Sequence, residues 1–260
     1  MTMKVIILAG GLGTRLGYRT ELIPKPIVKI GDKPILWHIM KIYSYYGFKD
    51  FIICLGVKAD VIKDYFYHFD AKNSDFTIDL SNRNIDFHNS NRNENWKVTL
   101  AYTGLNTLKG GRIKRIEKYL DSETNMLTYG DGVADLNIKD VVKFHKSHGR
   151  MVTITGVHAP SRFGELIEKE GNVKSFIEKP QMSIGLINGG FMVFNHELLD
   201  YLTPDENCDF EVGLLEELAK KGEVMVYKHE GNWKCMDSER DVLYLNKLWN
   251  TNQSFWKVWD

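Results

Sequence analysis

Apolar strands and amphipathic helices alternate along most of this chain. Short apolar runs that end at glycine or polar residues predict buried strands at residues 5–9, 51–56, 125–129 and 151–157. Apolar residues spaced three and four apart predict helices at residues 34–46, 59–66, 111–119 and 138–148. Because strands separated by helices pair in parallel, this order predicts an α/β fold: a Rossmann-like, mostly parallel mixed sheet with helices on both faces.

Two segments depart from this alternation. Residues 70–95 are rich in Asn, Asp and Ser, and apolar residues alternate only at 76–80 and 85–87. This pattern predicts an excursion that contains a hairpin, either a mobile surface arm or a subunit contact. Residues 238–260 combine a helical pattern with several tryptophans, a spacing typical of packing or oligomer contacts. Because we find no repeat or linker, we expect a single domain over residues 1–260.

Composition argues against several classes of function. The 260 residues contain 34 Lys and Arg against 34 Asp and Glu, so a broad basic surface for nucleic acid is not expected. The three cysteines, Cys54, Cys208 and Cys235, are scattered and predict reduced thiols. The N-terminus does not resemble a signal peptide, and no apolar run reaches the roughly 18 to 20 residues of a membrane span. We therefore expect a cytoplasmic protein without a membrane or nucleic-acid partner.

The first predicted strand opens into a glycine-rich turn that suits a phosphate. Gly10, Gly11 and Gly13 follow the strand, and backbone N–H groups in such a turn can approach a phosphate closely. Arg15 and Lys25, the latter between two prolines, add the positive charge that a triphosphate requires. The turn lacks the Lys-Ser or Lys-Thr of a P-loop and the third glycine of a dinucleotide fingerprint. It is therefore interpreted as a phosphate-binding loop of another kind.

A second loop carries a carboxylate at the same edge of the predicted sheet. Asp131 lies between two glycines, directly after the strand at 125–129. Ligands of parallel sheets bind at the carboxyl ends of the strands, so both glycine loops are expected on one rim. Asp135 is interpreted as the N-cap of the following helix. His145 and His148 are interpreted as surface-helix residues, because no third metal ligand accompanies them in the sequence.

The glycine loop and its neighbours resemble a known enzyme family. Residues 10–16 followed by Pro-Lys-Pro at 24–26 resemble the nucleotidyltransferases that join a sugar phosphate to a nucleoside triphosphate. Further blocks closely resemble one branch of that family, the glucose-1-phosphate cytidylyltransferases, and lie at residues 31–41, 110–115, 129–135, 162–164, 176–180, 187–191 and 233–237. The resemblance covers essentially the whole chain. It implies the nucleotide-diphospho-sugar transferase fold and the reaction of CTP with α-D-glucose 1-phosphate to give CDP-glucose and pyrophosphate.

The resemblance also implies roles for individual residues. Arg15 and Lys25 are the implied catalytic cations, and Asp131 and Asp237 are the implied ligands of a Mg²⁺ cofactor. The implied nucleotide-binding residues are Leu8, Gly10, Gly11, Gly13, Thr14, Arg15, Lys25, Thr103, Gly110, Gly111, Arg112 and Asp131. The implied sugar-phosphate contacts are Gly164, Glu178, Lys179, Asn188 and Gly189. The expected partners are CTP, a sugar 1-phosphate and further copies of the chain in a homo-oligomer.

Within these sets, three roles are more specific. Lys179 is expected to grip the sugar phosphate, and Arg112 to contact the base or a phosphate of the nucleotide. Gly110 and Gly111 are expected to let the pyrimidine approach the backbone closely.

The chain departs from the family pattern at two places. Ile23 stands where family members often carry the first lysine of Lys-Pro-Lys-Pro, so Lys25 is expected to be the catalytic lysine of this motif. Val212 and Gly213 replace an acidic residue and a proline, which leaves the sugar specificity open. Another pyrimidine nucleotide or sugar phosphate, a glycosyltransferase and a non-catalytic regulatory paralogue are the alternatives. The implied cations and metal ligands are all present, which argues against the paralogue.

Overall fold

A central β-sheet organises the chain. The computed structural model describes residues 3–11, 13, 16, 23–88, 94–159, 164–178 and 185–259. The strands of this part are β1 (Lys4–Leu8), β2 (Lys29–Ile30), β3 (Lys33–Pro34), β4 (Asp50–Leu55), β5 (Asp75–Asp79), β6 (Asn84–His88), β7 (Lys97–Tyr102), β8 (Thr124–Tyr129), β9 (Gly132–Ala134), β10 (Val152–Val157), β11 (Glu165–Lys169), β12 (Asn172–Ile177), β13 (Ile187–Asn195), β14 (Val224–His229) and β15 (Trp233–Cys235). The α-helices are α1 (Ile35–Tyr45), α2 (Ala59–Tyr67), α3 (Phe69–Asn73), α4 (Lys109–Arg115), α5 (Ile138–His148), α6 (Glu216–Lys220) and α7 (Glu239–Asn250). Short 3₁₀ segments occur at Lys25–Ile27, Glu117–Tyr119 and His196–Tyr201, and an irregular turn occurs at Glu211–Leu215.

The central sheet is mixed and mostly parallel. Its strand order is β14-β10-β13-β8-β1-β4-β7. β1 is parallel to β4 and β8, β4 to β7 and β10 to β14, whereas β13 runs antiparallel to both of its neighbours. Val5 and Ile7 pack on one face with residues of α1 and α5, and Ile6 packs on the other face with residues of α4 and α6. Both faces of the sheet are therefore buried, and the predicted α/β fold is confirmed.

Two local predictions are wrong in detail. The helix expected at 111–119 is α4, which begins at Lys109 and ends at Arg115, because Ile116 leaves helical geometry at φ −101° and ψ 3°. Asp135 does not cap α5. The N-cap is Asn137, whose Oδ1 accepts a hydrogen bond from the first turn of the helix at 3.1 Å.

Two hairpins lie apart from the central sheet. β5 pairs with β6 within the excursion at 70–95, and β11 pairs with β12 later in the chain. Both hairpins expose apolar side chains; those of the first are Phe76, Ile78, Ile85 and Phe87.

None of the helices in the described part of the chain combines the length and the apolar composition that a bilayer crossing requires.

The C-terminal aromatic segment packs within the chain. Trp256 is fully buried, and its ring lies 6.0 Å from the ring of His38 on α1. Trp249 on α7 lies edge-on to the same histidine at 4.7 Å. These contacts hold the residues after α7 against α1.

Candidate active site

The carboxyl ends of neighbouring parallel strands form the rim on which the site is built. Gly10 and Gly11 follow β1, and Gly130 and Asp131 follow β8. The amide of Gly130 donates a hydrogen bond to the carbonyl oxygen of Leu8 at 3.1 Å. The two glycine loops therefore lie side by side on one rim, as the sequence predicts.

The Pro-Lys-Pro segment folds beneath the second glycine loop. Residues Lys25–Ile27 form a short 3₁₀ turn in which Pro26 is buried. A Cβ atom at Gly130 would lie 3.0 Å from Cγ of Pro26, so glycine permits the close packing of the two segments. This packing brings the side chain of Lys25 to Asp131.

A short strand pair brings Asp237 to the same place. β15 pairs antiparallel with β9, and Cys235 lies opposite Gly132. The amide of Met236 then donates to the carbonyl oxygen of Asp131 at 2.8 Å. The next residue, Asp237, consequently lies beside the loop that carries Asp131.

Lys25 links the two aspartates. Its ammonium group donates to Oδ2 of Asp131 and to Oδ1 of Asp237, each at 2.6 Å. The side chains of Lys25 and Asp237 are 12% and 19% exposed, so this network is partly shielded from water. Burial by itself would lower the pKa of Lys25, but the carboxylates of Asp131 and Asp237 outweigh it and raise the pKa. The lysine therefore stays charged and offsets one of the two negative charges of the aspartates.

The donor atoms of this cluster fit a Mg²⁺ ion. Asp131, Cys235 and Asp237 each offer one ligand atom, and these atoms lie within 4.8 Å of one another. Mg²⁺ prefers a few carboxylate oxygens and keeps several waters, so the two aspartates match its chemistry. Burial, and after it the charge of Asp131, raises the pKa of the Cys235 thiol. The thiol thus stays protonated, and a protonated sulfur is not a ligand for this hard cation.

Arg112 joins the loops at the ends of three strands. Its guanidinium donates to the carbonyl oxygens of Gly10 (3.1 Å), Leu55 (3.1 Å) and Gly104 (2.8 Å), and to the hydroxyl of Thr103 (2.9 Å). The Thr103 hydroxyl itself donates to Leu55 at 2.8 Å. Arg112 is 5% exposed, and burial lowers its pKa. The predicted nucleotide residues Gly10, Thr103 and Arg112 are therefore brought together, but their polar groups bond to the protein.

Gly110 and Gly111 face the loop at 205–209. The amide of Gly111 donates to the carbonyl oxygen of Cys208 at 3.0 Å, and a Cβ at Gly110 would lie 2.8 Å from the same oxygen. Close packing inside the protein thus accounts for both glycines. Their approach to a pyrimidine stays a prediction.

The predicted sugar-phosphate residues lie along β13 and the second hairpin. Gly189 is buried, and its carbonyl oxygen accepts a hydrogen bond from Nε1 of Trp233 at 2.8 Å. Asn188, one residue earlier, is exposed and bonds to the hydroxyl of Tyr129 at 3.3 Å. At the start of β11, a Cβ at Gly164 would lie 3.0 Å from a carboxylate oxygen of Glu178, which places these two together.

Several predicted residues lie outside the described part of the chain. Thr14, Arg15 and Lys179 belong to this group, and their roles stay predictions. Gly11 and Gly13 are described, and Gly13 adopts a positive φ of 65° that favours glycine. On α5, the interpretation of His145 as a surface residue is wrong: its ring is buried and bonds to the hydroxyl of Thr153 at 2.8 Å and to Oδ1 of Asn195 at 2.9 Å. His148 bonds to the same hydroxyl at 2.7 Å.

Sequence reasoning missed three polar residues near the rim. Glu211 bonds to Lys109 at 2.6 Å and to the hydroxyl of Tyr129. Tyr129 directly precedes the Gly-Asp-Gly loop, and this position could have marked it as a site residue from the sequence. Lys109 and Glu211 are far apart in the sequence, and no local pattern joins them.

Comparisons with known proteins agree with this geometry. The family model described as nucleotidyl transferase matches residues 4–254. The chain is 48% identical to the glucose-1-phosphate cytidylyltransferase of Salmonella typhimurium, over 99% of this chain and 100% of that protein. It is 45% identical, over 99% of this chain and 100% of the other, to a Bacillus subtilis protein named probable glucose-1-phosphate cytidylyltransferase.

Solved structures share the fold. The crystal structure of HddC from Yersinia pseudotuberculosis superposes with a TM-score of 0.68 at 25% identity, and the match covers 95% of this chain and 99% of that one. The family model spans nearly the whole chain, and the similarity to full-length relatives is well above the level at which fold alone is shared. This chain therefore belongs to the nucleotidyl transferase family.

Proposed function

We propose that this enzyme transfers a cytidylyl group from CTP to α-D-glucose 1-phosphate, giving CDP-glucose and pyrophosphate. The similarity to named glucose-1-phosphate cytidylyltransferases over their full length supports the choice of substrates. The observation that carries the chemistry is Lys25, which lies 2.6 Å from both Asp131 and Asp237 at the rim of the sheet. This arrangement places one cation and two carboxylates where a parallel sheet binds its ligands.

The reaction needs no nucleophile from the protein. A phosphate oxygen of the sugar phosphate attacks the α-phosphorus of CTP, a new P–O bond forms, and the bond to the bridging oxygen of pyrophosphate breaks. Catalysis of such transfers rests on positioning and on neutralisation of charge. The protein's task is therefore to hold two anionic substrates together in line.

Lys25 and Arg112 supply positive charge for this task. The ammonium of Lys25 is held at the rim by its carboxylate partners and is proposed to contact the triphosphate there. Arg112 donates to neutral carbonyl and hydroxyl oxygens, which do not cancel its charge, so the guanidinium attracts the triphosphate electrostatically. Arg15 and Lys179 are proposed to add contacts to the triphosphate and the sugar phosphate.

Asp131 and Asp237 are proposed to hold Mg²⁺. The ion, when bound, neutralises phosphate charge and polarises the α-phosphoryl group. Met236 and the β9–β15 pair fix the two carboxylates next to each other in advance. The residues thus need little rearrangement of backbone to accept the cation.

Pyrophosphate release tests this function directly. The assay crosses CTP, UTP, dTTP, ATP and GTP with glucose 1-phosphate and other sugar 1-phosphates in the presence of Mg²⁺. Release that is strong only with CTP and glucose 1-phosphate is expected. Release with CTP and another sugar 1-phosphate would identify a different acceptor. Val212 and Gly213 would then be the first residues to test for sugar specificity. No release with any pair would contradict nucleotidyl transfer and favour the regulatory paralogue or the glycosyltransferase.

The hairpin β5–β6 is proposed to contact a second copy of the chain. Phe76, Ile78, Ile85 and Phe87 are each more than a third exposed. The hairpin follows α3 in the chain, and α2 and α3 border a groove of about 680 Å³ whose lining includes Phe66, Phe69 and Trp96. Ile85→Asp should lower the mass measured by light scattering, whereas Leu243→Asp, a control at an exposed site on α7, should not.

The reduced thiols fit the expected compartment. Cys54, Cys208 and Cys235 are free cysteines in the structure. Free thiols are typical of cytoplasmic proteins, and we expect this enzyme to act there.

A further inference from the structure

Glu211 occupies the centre of a polar cluster beside the rim. Its carboxylate accepts hydrogen bonds from Nζ of Lys109, at 2.6 Å to Oε1, and from the hydroxyl of Tyr129. The ammonium of Lys109 also lies 4.9 Å from the centre of the Tyr129 ring. The side chain of Glu211 is 32% exposed, so the cluster borders solvent rather than the core.

The backbone around Glu211 is shaped to hold it in this position. Oδ1 of Asp209 accepts hydrogen bonds from the amides of Glu211 (2.8 Å) and Val212 (3.2 Å). Gly213 adopts φ 91° and ψ −70°, a conformation that L side chains rarely adopt. These features interrupt the helical path between Glu211 and α6. The Val-Gly pair that departs from the family pattern thus follows directly on Glu211.

Tyr129 connects Glu211 to a predicted sugar contact. The hydroxyl of Tyr129 donates its hydrogen bond to the carboxylate of Glu211, because an ionised carboxylate can only accept. The phenol oxygen then accepts from Nδ2 of Asn188 at 3.3 Å. A Cβ at Gly190 would lie 2.6 Å from the Tyr129 ring, so glycine lets β13 approach the tyrosine.

The amide of Asn188 is oriented by two bonds. Its Oδ1 accepts from the amide of Gly190 at 2.9 Å, and one Nδ2–H points to Tyr129. The second Nδ2–H is not used by these bonds, and Asn188 is exposed at the start of β13. An oriented, exposed N–H is a suitable donor to a hydroxyl oxygen of a sugar.

We propose that Glu211 is a positioning residue for the sugar phosphate, which acts by fixing Tyr129 and, through it, the amide of Asn188. The proposal rests on the proposed function, because it concerns the acceptor of that reaction. Glu211 itself is not required to touch the reacting phosphates.

Steady-state kinetics of four variants test this inference. Glu211→Ala and Tyr129→Phe should each raise the KM for glucose 1-phosphate between about three- and tenfold, the size expected for one hydrogen bond. The KM for CTP should stay within about twofold, because the contacts of Lys25 and Arg112 are unchanged. Glu211→Gln should restore part of the loss, since an amide oxygen can still accept from the tyrosine. In the Glu211→Ala/Tyr129→Phe double variant the effects should be less than additive.

Glu217→Gln is the matched control. It breaks the Lys221–Glu217 ion pair on α6, within the same segment but at an exposed site. Both KM values of this control should match those of the wild type. Tyr129→Phe keeps the ring in place, so it remains informative if Glu211→Ala does not fold.

The outcomes separate the two proposals. Wild-type protein that shows no turnover with CTP and any sugar phosphate would contradict the proposed function. In two other cases the wild type turns over: the variants change both KM values equally, or the effects in the double variant are fully additive. Either result would overturn the role of Glu211 and leave the proposed function standing. A calorimetric titration of each variant with glucose 1-phosphate at saturating, non-reactive CTP analogue should show the same loss of affinity without turnover.

Discussion

The backbone amide of Met236 donates a hydrogen bond to the carbonyl oxygen of Asp131 at 2.8 Å. This bond extends the pairing of β15 with β9 beyond the last register pair, Cys235 opposite Gly132. It fixes Asp237 beside Asp131, although 106 residues separate them in the sequence. Backbone contacts therefore place the two aspartates side by side, and Lys25 links their carboxylates.

Removing the ammonium of Lys25 should abolish most activity without unfolding the protein. Lys25→Ala is expected to lower kcat/KM by about 100- to 1,000-fold, the range seen when one preorganised charge-stabilising donor is lost. Lys4→Ala is the matched control, because Lys4 forms a similar half-buried ion pair with Asp50 at the other end of β1. Pyrophosphate release and thermal unfolding measure the two effects. Equal activity in the two variants would contradict the assignment of Lys25.

Loss of either aspartate should weaken metal binding. Asp131→Asn and Asp237→Asn are each expected to weaken Mn²⁺ binding, measured by electron paramagnetic resonance with Mn²⁺ in place of Mg²⁺, by at least about tenfold. Chelation with EDTA should stop turnover, and excess Mg²⁺ should restore it. Asp135→Asn is the control, since Asp135 bonds to Asn232 at 2.8 Å instead of facing the cluster. Unchanged Mn²⁺ affinity in both site variants would exclude this metal site.

A methyl group at Gly10 should disturb the Arg112 network. A Cβ there would lie 2.6 Å from Cζ of Arg112, so Gly10→Ala is expected to lower the free energy of unfolding by about 1 to 3 kcal/mol. A Cβ at Gly11 has no atom within 4 Å, and Gly11→Ala should change stability by less than about 0.5 kcal/mol. Urea unfolding of the two variants makes the comparison. A similar cost at both positions would show that backbone freedom, and not Arg112, decides the effect.

Loss of the Arg112 side chain should affect the nucleotide more than the sugar. Arg112→Ala removes donors to Gly10 and Thr103 and a positive charge next to the glycine loop. We therefore expect a larger rise in the KM for CTP than in the KM for glucose 1-phosphate, together with a lower melting temperature. A change confined to the sugar-phosphate KM would move Arg112 out of the nucleotide site.

Acid should destabilise the fold through His38. Its Nε2 bonds to the carbonyl oxygen of Ile30 at 3.0 Å and its Nδ1 accepts from Trp256 at 3.3 Å, so the buried ring is neutral. Burial lowers the pKa of His38 from 6.5 to about 4, which corresponds to about 3 kcal/mol. Between these pH values the unfolded chain binds a proton that the folded chain does not. The stability contributed by His38 is therefore complete above pH 6.5 and is lost as the pH falls toward 4.

Comparison with His38→Gln isolates this effect. His145 and His148 also have lowered pKa values and contribute with the same sign. The wild type should lose more free energy of unfolding between pH 6.5 and 4 than the variant does. Parallel stability curves for the two proteins would contradict the role of His38.

Local sequence patterns predicted a large part of the fold and the rim of the site. The apolar runs located β1, β4 and β8, because burial on both faces of a parallel sheet requires continuous apolar strands. The glycine loops after β1 and β8 followed from the same strands. Asp135 was misassigned as a helix cap, because Asn137 competes for that position and only its observed bond to the first turn of α5 decides between them.

By itself the sequence determined the α/β class, the two glycine loops on one rim and the residue types that suit a triphosphate. These properties depend on periodicity and backbone preferences over a few residues. The family resemblance implied that Asp131 and Asp237 lie together, and only the tertiary structure decided that Arg112 bonds to the carbonyl oxygens of Gly10 and Leu55 and that Glu211 reaches Tyr129. Each of these contacts joins segments tens of residues apart or more, so its formation depends on how the whole sheet and its loops pack together.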